Sequence, residues 1–180
     1  MTDLGASATL NGATRSYSNG IAFLDVQSGD TPQASISMGQ TGTLVTLTSG
    51  FTWTPAAKGA AALWRTTTSA NALFIERIGN GQIDFLRQDT SAIRSGSGTY
   101  QYDGSEQHAL TWDSSAATLY KDGIQQDSTP YVTTWTTSAT LGIGYDPTTS
   151  GREVEGGIGI LFTDEVLTAA QLIALAASIP

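Results

Sequence analysis

Short runs in which apolar and polar residues alternate, separated by turn residues, cover most of the chain from residue 21 onward. The weaker strand candidates are Ile21–Val26 and Ala34–Met38. Thr43–Thr48 alternates Leu and Val with Thr, and Phe51–Thr54 follows it. Ala61–Arg65, Ala72–Ile78, Ile83–Leu86, His108–Asp113, Thr118–Lys121, Ile124–Gln125, Tyr131–Trp135, Ala139–Tyr145 and Gly157–Phe162 continue the series. Two pairs suited to a tight turn sit inside it: Asn80-Gly81 before Ile83–Leu86, and Asp122-Gly123 after Thr118–Lys121. Asn-Gly and Asp-Gly accept the positive φ angles of a type I′ turn, so each predicts a β-hairpin.

Period-two patterning is cleanest at His108, Leu110 and Trp112, which share one strand face, and at Leu141, Ile143 and Tyr145, which share another. About a dozen strands at this spacing predict an all-β antiparallel sandwich of jelly-roll type. The last segment breaks the pattern. Thr168-Ala-Ala-Gln171 is a capping box, and Leu167 with Leu172 can form a hydrophobic staple, so one short C-terminal helix is expected over about residues 168–177. Residues 1–20 are small and polar, with few anchors beyond Leu4, Leu10 and Tyr17. They predict an N-terminal arm or an irregular edge segment, ahead of a sandwich domain over 21–180.

Composition narrows the chemistry. The 180 residues contain no cysteine and one histidine, His108, which excludes disulfides, thiolate metal sites and a two-histidine metal site. Charged residues make up only 13%, the net charge is −8 and the pI is about 4.3, so nucleic acid is not an expected partner. No stretch approaches the ~20 apolar residues that would insert into a membrane. The N-terminus has no apolar core of a signal peptide, so either a signal has been removed or the chain folds in the cytoplasm, and Met1 favours the second expectation.

Several motifs resemble those of laminin-G-like, concanavalin A-like jelly-roll domains. Phe51-Thr-Trp53 followed by Ala61–Arg65 is similar to the start of the pattern. Gln107-His-Ala-Leu-Thr-Trp-Asp113 with Thr118-Leu-Tyr-Lys-Asp-Gly123 resembles the family's central hairpin. Leu141-Gly-Ile-Gly144 resembles its next strand, and Ile160-Leu-Phe162 through Asp164-Glu-Val-Leu-Thr168 its strand-to-helix close. The resemblance spans roughly residues 50–177 and implies the fold; such folds serve adhesion, sugar binding, capsid structure and hydrolysis alike. It also implies that His108 is structural. Where many members carry an acidic step before the final strand, this chain has Gly157-Ile-Gly159.

No enzyme activity is expected. A retaining glycosidase needs two carboxyl groups about 5–5.5 Å apart. Related jelly-roll hydrolases place them on an E-x-D-x-x-E strand, and none of Glu76, Glu106, Glu153, Glu155 and Glu165 falls in that pattern. Glu153 and Glu155 read as a solvated strand face. His108, in line with Leu110 and Trp112, reads as a partly buried sandwich histidine rather than a catalytic base. Ser95-Gly-Ser-Gly98 is loop chemistry, and Gly156-Gly157-Ile-Gly159 reads as a strand start or bulge. Calcium would need several converging oxygens. Asp146 and Asp103 are the best single donors but read as turn aspartates, so no cofactor or metal is expected.

Trp53, Trp64, Trp112 and Trp135 sit in strand runs and are expected in the core. Tyr100, Tyr102, Tyr131 and Tyr145 border loops. An aromatic face beside Asp or Arg suits saccharide or protein contact. Tyr145, Asp146 and Arg152 on one predicted rim loop, with Tyr102 and Asp103 on another, are therefore the expected contact residues. Two binding roles follow. One is a structural component of a bacteriophage virion, a capsid decoration or tail-associated protein on the particle surface, assembled in the host cytoplasm. It would dock to capsid or tail proteins and sister copies through its arm and sheet edges. The other is an extracellular carbohydrate-binding adhesion module that touches cell-surface glycans through rim aromatics.

Overall fold

A computed structural model describes residues 1–37, 39–52, 59–65, 72–77, 83–86, 92–94, 104–130, 138–145 and 155–179, the strands between 50 and 94 by their backbone alone. In chain order the elements are β1 (Thr2–Asp3), α1 (Leu4–Ser7), β2 (Thr14–Ser18), β3 (Ile21–Val26), β4 (Gln33–Ser37), β5 (Gly42–Thr52), β6 (Gly59–Arg65) and β7 (Ala72–Arg77). They continue as β8 (Ile83–Leu86), β9 (Ala92–Arg94), β10 (Gly104–Trp112), β11 (Ala116–Lys121), β12 (Ile124–Pro130), β13 (Ser138–Ile143), β14 (Glu155–Thr163) and α2 (Ala169–Ala176). The strands form two sheets. One is 8-stranded, in the order β12-β11-β10-β5-β14-β3-β2 with β1 also on β14; the other is 6-stranded, in the order β4-β13-β6-β7-β8-β9.

Alternation decides which side chains fill the space between the sheets. Leu24, Val26, Leu44, Leu110, Trp112, Leu119, Ile158, Ile160 and Phe162 of the larger sheet meet Ala34, Ile36, Leu141 and Ile143 of the smaller one. The Trp112 and Phe162 rings stack with centroids 6.3 Å apart. The intervening residues of the larger sheet, Ile21, Phe23, Val45, Leu47, Ala109 and Leu161, point the other way and form a second core under Leu167 and Leu172. Both faces of this sheet are thus covered in part. That explains why β3 and β5 read as nearly continuous apolar or threonine runs rather than strict alternation.

The expected hairpins form. β11 and β12 are joined by Asp122 and Gly123 at φ 49° and 75°, both positive as a type I′ turn requires. β7 and β8 pair antiparallel, while their turn Asn80-Gly81 lies outside the described residues. Phe51 and Thr52 continue the same strand as Thr43–Thr48. The expected run Tyr131–Trp135 lies outside the described residues. The Gly156-Gly157 stretch carries a register shift against β5, with Gly156 at φ 132°. The C-terminal helix is capped as its sequence implies: Thr168 accepts from the Gln171 amide, and the Gln171 side chain accepts from the Thr168 amide.

Residues 1–20 are built into the sandwich rather than standing off it as an arm. β1 pairs with Leu161 and Phe162 of β14, and β2 pairs with β3 along its whole length. Leu4, Ala8 and Ala13 are buried in the inter-sheet core. Polar groups pin the segment. The Asp3 carboxylate accepts from the amides of Ala6 and Ala22, and the Arg15 guanidinium donates to the carbonyls of Gly5 and Ala8. Asn19-Gly20, at φ 49° and 78°, makes the β2–β3 turn by the same chemistry as Asp122-Gly123.

Candidate functional site

Period two places Glu106 and His108 of β10 on the face that carries Leu110 and Trp112, between the sheets. The hairpin register sets Lys121 of β11 directly opposite His108, and β5 sets Thr46 opposite His108 and Thr48 opposite Glu106. Five polar side chains therefore meet at one end of an otherwise apolar layer. Lys121 Nζ lies 2.7 Å from Glu106 Oε1, and His108 Nε2 lies 3.9 Å from Glu106 Oε2. Thr48 Oγ1 accepts from the Glu106 amide and donates to the Glu106 carbonyl, both at 3.2 Å. Thr46 Oγ1 donates to the His108 carbonyl at 3.4 Å. Glu106, His108, Thr46 and Thr48 are buried, and Lys121 reaches partway to solvent.

Burial, reinforced by the Lys121 charge, lowers the His108 pKa to about 3. The imidazole is therefore neutral at neutral pH, and its contact with Glu106 is not an ion pair. The ion pair in this cluster is Glu106–Lys121. A glycosidase acid must be held protonated beside a second carboxylate. Glu106 instead sits against an ammonium group, and among the described residues it is the one buried carboxylate. The arrangement positions backbone and balances charge. Among the described residues no three His, Asp or Glu side chains converge as a metal site would need.

Of the residues expected to make contacts, Tyr145 is placed differently. It is 7% exposed, its hydroxyl donates to Gln33 Oε1 at 3.0 Å, and burial pushes its phenol pKa up. It closes the core beside β4 and is not a rim platform, because its alternation with Leu141 and Ile143 turns it inward. Asp146, Arg152, Tyr102 and Asp103 lie outside the described residues. Gly104, next in the sequence after Asp103, opens β10 opposite Phe51, and Glu155, three residues after Arg152, opens β14 opposite Thr52. The starts of β10 and β14 thus lie on either side of the same end of β5, about 10 Å apart at a spacing of roughly 4.8 Å per strand. The Asp122-Gly123 turn and the Glu106–Lys121 pair occupy that same end.

Of the tryptophans, Trp112 is buried as expected, with its indole Nε1 donating to the Gly39 carbonyl. Trp53 and Trp135 fall outside the described residues, as do Tyr100 and Tyr131. Reasoning along single strands overlooked the Glu106–Lys121 pair. Its signal is present: Glu106 and His108 are two apart, and the tight turn after Trp112 fixes which β11 residue crosses from them.

No protein family model matches the chain, and no curated protein matches it in sequence. Solved structures do match in fold. Domain 4 of a GH43 extracellular arabinanase from Geobacillus stearothermophilus, solved with arabinotriose, superposes with a TM-score of 0.70 at 12% identity, over 94% of this chain and 87% of that one. A Trypanosoma rangeli sialidase, solved as a covalent intermediate with 2,3-difluorosialic acid, gives 0.68 at 15% identity, over 94% of this chain and 29% of that one. A structure from a study of botulinum neurotoxin type C, whose cell entry depends on interaction with two ganglioside molecules, gives 0.65 at 13% identity, over 96% and 46%. The chain thus spans nearly all of the arabinanase domain but under half of the other two. The likeness establishes a jelly-roll β-sandwich with one short C-terminal helix, as its sequence implies.

Proposed function

We propose that this chain is a non-catalytic carbohydrate-binding module acting outside the cell. The observation that carries this reading is the match with the arabinanase domain, which covers nearly the full length of both chains; that domain was solved with a bound arabinose trisaccharide. The sialidase and neurotoxin structures, named for sialic acid and ganglioside, support a role in glycan recognition more broadly. The binding surface is assigned to the end of the larger sheet where β10 and β14 begin, the strands that next follow Tyr102, Asp103, Asp146 and Arg152 in the sequence, with Tyr145 removed from the set. The finer likeness to laminin-G-like domains rests on the hairpin motif of β10 and β11. The virion reading rests in part on a free arm, and residues 1–20 instead pair with β14 and β3 of the chain's own sandwich.

Binding of the intact chain to arabino-oligosaccharides and sialylated glycans, measured on an array and by calorimetry, tests the proposal. The expected result is saturable binding that Arg152→Ala weakens by roughly tenfold, about 1.4 kcal/mol, with no sugar released on prolonged incubation. Absence of binding to every glycan presented would overturn the reading, and glycan cleavage abolished by Glu106→Gln would replace it with an enzymatic one.

A further inference from the structure

The two sheets have four outer edges, and they are not treated alike. Exposed strand edges invite pairing with another chain, so folded proteins blunt them with covering segments, short strands, bulges or proline. The β4 edge is covered by Thr9, which exchanges two backbone hydrogen bonds with Gln33. β9 is three residues long and runs against β12. β12 carries a register shift against β11, ends in Pro130, and has the Ile124 carbonyl occupied by the Gln126 side chain. Among the described residues β2 has none of these devices. Its five residues pair with β3 in unbroken register, it contains no proline, and Thr14, Ser16 and Tyr17 are exposed, Tyr17 at 65%. Its one charged residue, Arg15, is drawn back from the edge onto the Gly5 and Ala8 carbonyls.

We infer that β2 is a self-association edge at which a second copy of this chain adds its own β2 antiparallel, about a two-fold axis through Ser16. The sequence of the strand selects this partner. Thr14-Arg-Ser-Tyr-Ser18 read against itself in reverse places Thr14 opposite Ser18, Arg15 opposite Tyr17, and Ser16 opposite Ser16. Small hydroxyl residues meet small hydroxyl residues, and because each Arg15 guanidinium is held back on its own chain's Gly5 and Ala8 carbonyls, no like charges face each other across the pairing. Arg15 and Tyr17 lie on the same strand face, and directly opposed Cβ atoms stand about 4.5–5.5 Å apart, so each exposed Tyr17 ring meets the aliphatic stem of the other copy's Arg15. A two-fold pairing is isologous and closes on itself, so it yields a dimer rather than a filament, with the two 8-stranded sheets continuous. The ribbon is short, so the dimer is weak and concentration-dependent. This inference does not depend on what ligand the chain binds.

The absence of native cysteine makes the register directly testable. Ser16→Cys should give a disulfide-linked dimer on mild oxidation, because residue 16 faces itself. Thr14→Cys, whose counterpart is residue 18, should remain largely monomeric. In sedimentation equilibrium the unmodified protein should shift from monomer toward dimer as concentration rises. Ser16→Glu should weaken that shift at least about tenfold by opposing two carboxylates. Tyr17→Glu, which meets Arg15, should retain it. Circular dichroism confirms that each variant is folded, and the Thr14→Cys and Tyr17→Glu arms keep the test meaningful if one Ser16 variant fails. A wild-type protein that stays monomeric at high micromolar concentration overturns the proposal. So does equal crosslinking at positions 14 and 16.

Discussion

The two faces of the 8-stranded sheet bury polar groups in different ways. On the helix-covered face those groups are neutral and tie down backbone. Thr43 Oγ1 donates to the Glu165 carbonyl and accepts from the Leu167 amide, while Gln107 Nε2 donates to the Leu172 carbonyl at 2.7 Å. They fix the approach to α2 and the helix itself over a small apolar patch. On the inter-sheet face a buried carboxylate and a buried imidazole meet a half-buried ammonium at the end of the sheet where β10 and β14 begin. Neutral side chains dock one segment on another at small desolvation cost. A buried charge is tolerated only when a partner is held in register beside it. The helix face is thus tuned by geometry, and the inter-sheet face by protonation.

The largest expected effect tests the apolar part of the inter-sheet layer. Trp112→Ala removes the ring stacked on Phe162 and should cost about 3–5 kcal/mol, read as a collapse of the denaturation midpoint. Leu172→Ala, the fully buried contact of α2, should cost about 3 kcal/mol. Its effect should be local, with early hydrogen exchange in α2 and protection retained in β10. If exchange rises equally on both faces, the two layers are one cooperative unit and the contrast fails. Lys121→Met strips Glu106 of its ion-pair partner; because Lys121 is partly solvated, a loss of about 2 kcal/mol is expected in urea denaturation. Glu106→Gln combined with Lys121→Met should recover part of it.

Acid should separate the faces further. The folded pKa of His108 is about 3 against an ordinary value of 6.5, so between these values the unfolded chain binds a proton that the folded chain does not. Stability contributed by the neutral imidazole is full above pH 6.5 and falls as pH drops toward 3, by about 2 kcal/mol from pH 8 to pH 5. His108→Gln should flatten that slope in urea titrations across this range. The smallest effect belongs to the helix face: Thr168→Ala removes the cap of α2 and should cost about 1 kcal/mol in thermal melts, with little dependence on pH.

How much of this was legible beforehand depends on how local the signal is. The β11–β12 turn and the α2 cap were readable because the groups that make them lie within four residues of each other. Asn19-Gly20 carries the same turn signal, but the small, polar setting of residues 1–20 masks it, so the segment reads as an arm or an irregular edge segment rather than as the regular edge strand β2. Its anchors are distant: Arg15 reaches back to Gly5, and Asp3 to Ala22. Tyr145 was placed on a rim because it precedes a loop. Its burial depends on Gln33, 112 residues away, which receives its hydroxyl. Four of the five expected contact residues lie outside the described residues, and register relates only the strand starts that follow them, Gly104 and Glu155, through Phe51 and Thr52.

Alternation with period two, turn pairs that accept positive φ, and a capping box determined that this chain forms antiparallel strands and one closing helix, because each is a property of neighbouring residues. Which face of each strand meets the second sheet, which of them gathers Glu106, His108 and Lys121, and which edge is left bare were decided only in three dimensions. Those outcomes depend on pairing between strands far apart in the chain, where a shift of one residue would turn every side chain to the opposite face.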